Sequence, residues 1–130
     1  MSLDFEKLRE TRATNPEAIA QAYKSRKRRE ILQGDGKIFI IAADHTARGA
    51  LGVRDDATAM ADRYELLNRL AIALRNPGCD GVLATPDFLD DLALLGLLDG
   101  KLAVASMNRV GLKGAIFEMD DRFASHNFEA

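Results

Sequence analysis

The stretch K-I-F-I-I-A-A-D-H-T-A-R-G, residues 37–49, decides the reading of the fold. Six apolar residues run from Ile38 to Ala43, and Asp44, His45 and Arg48 follow at once. The run is short, rich in isoleucine and without polar alternation, which is the pattern of a fully buried parallel strand. Ionisable side chains directly after such a strand stand at the C-terminal edge of a sheet, where α/β proteins build their sites.

Upstream of this stretch, Q-G-D-G at 33–36 is turn chemistry. Residues 3–12 read as a short helix. A second helix starts at Asn15-Pro16-Glu17, with Asn as N-cap and Pro in the first helical position, and is expected to run to about Glu30. Its last turns hold K-S-R-K-R-R, residues 24–29, read as a solvated helix end where the dipole favours cations.

Downstream, residues 44–55 form a loop, and Asp55 or Asp56 is expected to cap the next helix. Met60, Leu67, Leu70 and Leu74 supply that helix's apolar face, and Asn76-Pro77-Gly78 stops it. G-V-L-A-T at 81–85 is a second buried strand. Thr85-Pro86-Asp87 then starts a helix with Leu89, Leu92, Leu95 and Leu98 on one face, ending at Gly100. Asp87, Asp90 and Asp91 read as charges favoured by the positive end of that helix. K-L-A-V-A-S at 101–106 is a third strand, followed by Ser106, Asn108, Arg109 and the loop G-L-K-G. Beyond it, the pattern leaves open a loop or the first turns of a third helix.

Strands alternating with helices predict an α/β fold with a parallel sheet. Residues 1–36 form an N-terminal helical segment, and residues 37–130 hold three βα units in a single domain. The chain has 130 residues, a net charge of −2 and 47% hydrophobic residues, an ordinary globular profile. That charge favours neither nucleic acid nor an anionic membrane. No apolar run has the length to span a bilayer, and the N-terminus lacks the apolar core of a signal peptide. Cys79 is the only cysteine, so no intrachain disulfide forms, and a buried thiol is expected there. The localisation expected from these features is cytoplasmic. The two histidines, His45 and His126, stand far apart with no cysteine cluster, and no phosphate-binding glycine motif is present, so neither metal nor cofactor is expected.

Polar residues follow all three strands. Asp44 and His45 can handle protons, and they are the candidate catalytic residues. Arg48 and Arg109, with Lys113, can hold an anionic group, while Thr85, Ser106 and Asn108 can hydrogen-bond hydroxyls. The implied partner is a small phosphorylated or polyhydroxy molecule.

The segments F-I-I-A-A-D-H-T-A-R-G-A-L-G, D-G-V-L-A-T-P-D and A-S-M-N-R-V-G-L-K-G-A-I-F-E-M-D-D-R-F resemble the N-terminal part of a bacterial (β/α)8 aldolase-like family. That family is related to the deoxyribose-phosphate and tagatose-bisphosphate class I aldolases. The resemblance spans about residues 8 to 125. It implies a partial TIM barrel and a carbon–carbon lyase acting on a sugar-phosphate-like substrate in carbohydrate or inositol catabolism. Asp44 would be the strand-end acid, and a Schiff-base lysine would come from a later strand. A barrel has eight strands and typically about 250 residues. The expectation is therefore a truncated, inactive piece with open sheet edges that self-associates as a homo-oligomer. The alternative is a small α/β domain that binds a phosphorylated metabolite without catalysis.

Overall fold

The computed structural model describes residues 2–106, leaving the Arg48 side chain aside. Helix α1 spans Phe5–Thr14, and the Asp4 carboxylate caps it by accepting the Lys7 N–H at 2.9 Å. Leu8 buries, and the Phe5 ring meets Tyr64 with centroids 4.5 Å apart. Helix α2 covers Glu17–Ser25, shorter than the sequence pattern suggested. Pro16, not Asn15, holds the cap position, and no side chain caps this helix.

From Arg26 on the basic run leaves α2, where the Arg26 and Arg29 side chains have partners elsewhere. Arg26 is extended and donates to the carbonyls of Leu98 (3.4 Å) and Lys101 (3.0 Å). The Lys27 N–H reaches Asp99, and the Lys27 carbonyl accepts the Gly100 N–H at 2.7 Å. Arg29, whose side chain is only 9% exposed, pairs with Asp80 at 2.7 Å. Residues 26–29 are thus a strap along the N-terminal edge of the sheet, which corrects their reading as a solvated helix end.

Strand β1 is Ile40–Ala42, β2 is Gly81–Ala84 and β3 is Leu102–Ala105, all parallel and in the order β1-β2-β3. The expected α/β class and parallel sheet are present. Full burial of the first strand is not: β1 lies at the sheet edge, Ile38 and Phe39 are exposed, and only Ala43 buries fully in that run. Helices α3 (Arg63–Arg75) and α4 (Pro86–Leu94) connect the strands. They cover the face carrying Val82 and Ala84, both wholly buried, while Ala42 and Val104 on the alternate positions stay exposed.

Helix α3 starts later than expected. Asp62 caps it, accepting the Glu65 N–H at 2.9 Å, whereas Asp56 accepts the Thr58 N–H within the preceding loop. Met60 therefore sits in that loop, bonded through its N–H to the Leu51 carbonyl. Leu67, Leu70 and Leu74 form the buried face and Asn76 closes the helix, as the spacing predicts. Helix α4 begins as read, with Thr85 at the cap and Pro86 inside. It ends at Leu94 rather than Gly100, because Gly96 at φ 70° turns the chain. The Leu97 N–H then bonds the Leu92 carbonyl and the Gly96 N–H the Ala93 carbonyl, a Schellman closure. Leu98 still buries completely in the turn beyond. Cys79 is buried, as expected. Among the described residues no helix is long and apolar enough to cross a membrane.

Candidate functional site

Strand register builds the site. Ala42 pairs with Leu83, and Leu83 with Val104. Two residues further along each strand direction stand Asp44, Thr85 and Ser106, one polar residue per strand end in the same row. Backbone bonds hold this alignment past the strands: Ala43 N–H to the Leu83 carbonyl at 2.7 Å and Ser106 N–H to the Ala84 carbonyl at 3.2 Å. The Ser106 hydroxyl donates to Asp44 Oδ2 at 3.2 Å, joining the first and third strand ends. Asp44 and Thr85 are both buried. His45 opens a short 3-10 turn, His45–Arg48, with Nδ1 4.0 Å from Asp44 Oδ1 and about half of its side chain exposed.

Of the residues expected at the site, Asp44, His45, Thr85 and Ser106 thus come together at one edge. The Arg48 backbone closes the 3-10 turn, with Gly49 at φ 70° behind it. Asn108, Arg109, Lys113 and His126 lie outside the described residues. Lys37 and Lys101 precede β1 and β3, at the opposite edge, and Lys101 Nζ donates to the carbonyls of Cys79 (2.6 Å) and Asn76 (3.1 Å). Among the described residues no group of three or more His, Cys, Asp or Glu is arranged to hold a metal ion.

Beside the row lies an open cleft of about 440 Å³ between the 3-10 turn, the following loop and the start of α4. Thr85 belongs to both the row and the cleft wall, with Thr46, Leu51, Met60, Arg63, Asp87 and Phe88 around it. The Arg63 guanidinium lies 4.3 Å from the centre of the Phe88 ring. It donates from Nε and Nη2 to Asp91 Oδ2 (3.0 and 2.6 Å), from Nη1 to Asp87 Oδ2 (2.5 Å) and from Nη2 to the Asp87 carbonyl (3.1 Å). Arg12 donates to the other oxygen of Asp91 at 2.8 Å. Burial alone would raise the Asp87 pKa, but hydrogen bonds from Thr85 and Arg63 outweigh it and hold the carboxyl below its ordinary value. Burial likewise opposes the charge on Arg63, and its bonds to Asp87 and Asp91 overcome that and raise its pKa.

Sequence reading missed this network. From the sequence Asp87 and Asp91 read as helix-start charges, but Asp91 is 1% exposed and held by two guanidiniums. A signal was available: Asp91 falls between Leu89 and Leu92 on the helix face that buries, a position an unpaired acid does not occupy.

Fold and site together define an α/β protein whose parallel strands deliver a row of polar side chains to their C-terminal edge. A family model described as Cgl0159-like matches residues 36–130, and the chain belongs to that family. The crystal structure of Cgl0159 from Corynebacterium glutamicum (Brevibacterium flavum) is similar to it, at 63% sequence identity and a TM-score of 0.86. The match covers 95% of this chain and 42% of that one, so the chain spans less than half the length of this relative. No curated protein was found to match. These findings correct the aldolase resemblance. The segments that carried it belong to a Cgl0159-like protein, and neither comparison points to the aldolase group. An acid after a buried strand is shared by many parallel-sheet proteins and does not specify one family.

Proposed function

We propose that the row Asp44–Thr85–Ser106 is one wall of an active site for a small polyhydroxy or phosphorylated metabolite, with Asp44 handling protons in a carbon–carbon lyase reaction. The observation that carries the reading is the buried Asp44 carboxylate, which Ser106 engages from two strands away. A carboxylate fixed in this way is a preorganised base. It takes the proton of a substrate hydroxyl as the adjacent carbon–carbon bond breaks. The bond's electron pair passes toward the substrate carbonyl, and the resulting enolate is then protonated. His45 stands close enough to exchange that proton with solvent. Residues on further strands would complete the wall. The sheet face carrying Ala42 and Val104 is exposed here, whereas parallel sheets are ordinarily covered on both faces. A closed (β/α)8 barrel is the arrangement we propose for that completion.

Release of aldehyde from a panel of sugar phosphates and free sugars tests the reading. In the protein carrying the further strands, Asp44→Asn is expected to lower turnover by roughly 10²–10⁴-fold with an unchanged circular dichroism spectrum; unchanged turnover there removes Asp44 from the mechanism. A second reading, metabolite binding without chemistry, is favoured by the placement of Lys37 and Lys101, which stand before the strands and away from this edge. Saturable binding with no product from any substrate would select it.

A further inference from the structure

We infer that the cleft flanking Thr85 is a subsite for the uncharged, hydroxyl-bearing end of the ligand and not for a phosphate or carboxylate. The inference rests on reading the strand-end edge as a binding site, and it narrows the ligand class at one end of that site.

Among the described side chains, the electrostatics disfavour an anion. Arg63 is the cation that lines the cleft there, and a guanidinium has five N–H donors. Four are committed: Nε and one Nη2 hydrogen to Asp91, the other Nη2 hydrogen to the Asp87 carbonyl, and one Nη1 hydrogen to the Asp87 carboxylate. A phosphate gains most from a bidentate fork, and the remaining single N–H cannot supply one. Among the described residues charge also balances locally, Arg12 and Arg63 facing Asp87 and Asp91, two positive against two negative.

A neutral polyol meets the wall on better terms. The Thr46 hydroxyl both donates and accepts, the Thr85 hydroxyl, whose proton goes to Asp87, offers its oxygen as an acceptor, and the half-exposed Asp87 carboxylate accepts. Leu51 and Met60 provide apolar contact for the C–H edges of a carbon chain. The cleft volume of about 440 Å³ lies within the range of small-molecule pockets. Thr85 joins the cleft to the Asp44 row, so a ligand whose reacting carbon lies at Asp44 extends its hydroxyl-bearing end past Thr85.

The test is an NMR titration of the ¹⁵N-labelled chain with xylitol, and separately with inorganic phosphate. Xylitol is expected to shift the amides of Thr46, Thr85 and Asp87, while phosphate leaves them unmoved. Thr85→Val and Thr46→Val each remove one hydroxyl at nearly constant shape. Each is expected to weaken xylitol binding by roughly threefold to tenfold. Using both variants keeps the test decisive if one misfolds. Phosphate binding at these amides more tightly than xylitol overturns the inference, as does xylitol binding unaffected in both variants. Xylitol shifts confined to Asp44 and Ser106 overturn the cleft assignment while sparing the strand-end reading. No shift at either set overturns both.

Discussion

Replacing Asp91 by Ala should be among the most damaging single changes to this fold. Its carboxylate is 1% exposed and accepts three charge-assisted bonds, one from Arg12 at 2.8 Å and two from Arg63 at 3.0 and 2.6 Å. These bonds link α1, α3 and α4, three elements distant in sequence. Removing one partner of a buried ion pair costs about 3–5 kcal/mol, because the other charge is stranded. Here the stranded groups are two arginines whose side chains keep roughly a third of their exposure, 34% and 37%, so water recovers part of the loss. Asp91→Ala is therefore expected to cost about 3 kcal/mol, at the lower end of that range. Urea denaturation followed by circular dichroism reads this as a midpoint lowered by roughly 1–3 M. Asp91→Asn retains the volume and one acceptor oxygen and should lose less. The internal comparison is Glu65→Gln, which breaks the exposed Glu65–Arg69 pair within α3 and should cost under about 0.5 kcal/mol. If Asp91→Ala costs no more than Glu65→Gln, the network is a solvated ion cluster and the reasoning fails.

Gly81→Ala should also destabilise strongly. A Cβ there would stand 2.7 Å from Leu102 Cβ and closer still to the Leu102 carbonyl oxygen, so β2 and β3 would have to part. A loss of about 2–3 kcal/mol in the same urea experiment is expected, and a neutral result would mean that the strands separate freely. Asp80 and Asp87 both have folded pKa values below the ordinary one, Asp80 chiefly through its bond from Arg29 and then the Phe39 N–H. Their contribution is therefore present above the unfolded carboxylate pKa of about 4 and disappears as pH falls through the lower folded values. Asp80→Asn should flatten the acid limb of the stability–pH curve, and an unaltered limb would show that the Arg29 pair contributes nothing. Ser106→Ala should reduce turnover less than Asp44→Asn, and Ser106→Thr should restore it; equal loss in both Ser106 variants would separate the hydroxyl from the function of Asp44.

Local patterns carried the alternation of strands and helices because each signal acts within a few residues. Thr85-Pro86 starts α4, Asn76-Pro77 ends α3, and the buried leucines of α3 recur at helical spacing. Residues whose partners are remote misled the reading. The run 24–29 resembles a dipole-favoured helix end until Asp80, Asp99 and the Leu98 and Lys101 carbonyls are brought against it. Asp91 resembles a helix-start charge until Arg12 and Arg63 arrive from other helices. Asp44 and Ser106 could be assigned to strand ends from sequence. Their bond could not, because it depends on the register that aligns three strands. Burial of Ile38 and Phe39 failed for a related reason: an apolar run specifies a strand, not how many neighbours that strand has.

The two edges of the sheet divide the work of stability and chemistry. At the N-terminal edge several charges are tied to fixed partners. Arg29 meets Asp80, Asp80 also accepts the Phe39 N–H at 2.7 Å, Arg26 holds two carbonyls, and Lys101 holds two more beyond the end of α3. Those bonds anchor the start of each strand. At the C-terminal edge the polar atoms are arranged differently. Ser106 orients Asp44 through one hydroxyl, and His45 lies 4.0 Å away and half in solvent. A site needs groups that are positioned yet still able to exchange partners, because a ligand must replace the bonds they already make. The Arg63 network supplies the rigid side of that edge and transmits it to Thr85 through Asp87. Asp91 is thus expected to matter for stability first, and for ligand binding only through the Arg63–Asp87–Thr85 chain. In Asp91→Asn, xylitol affinity should therefore fall less than in Thr85→Val, even though the first variant loses more stability. The opposite order would mean that the network contacts the ligand directly.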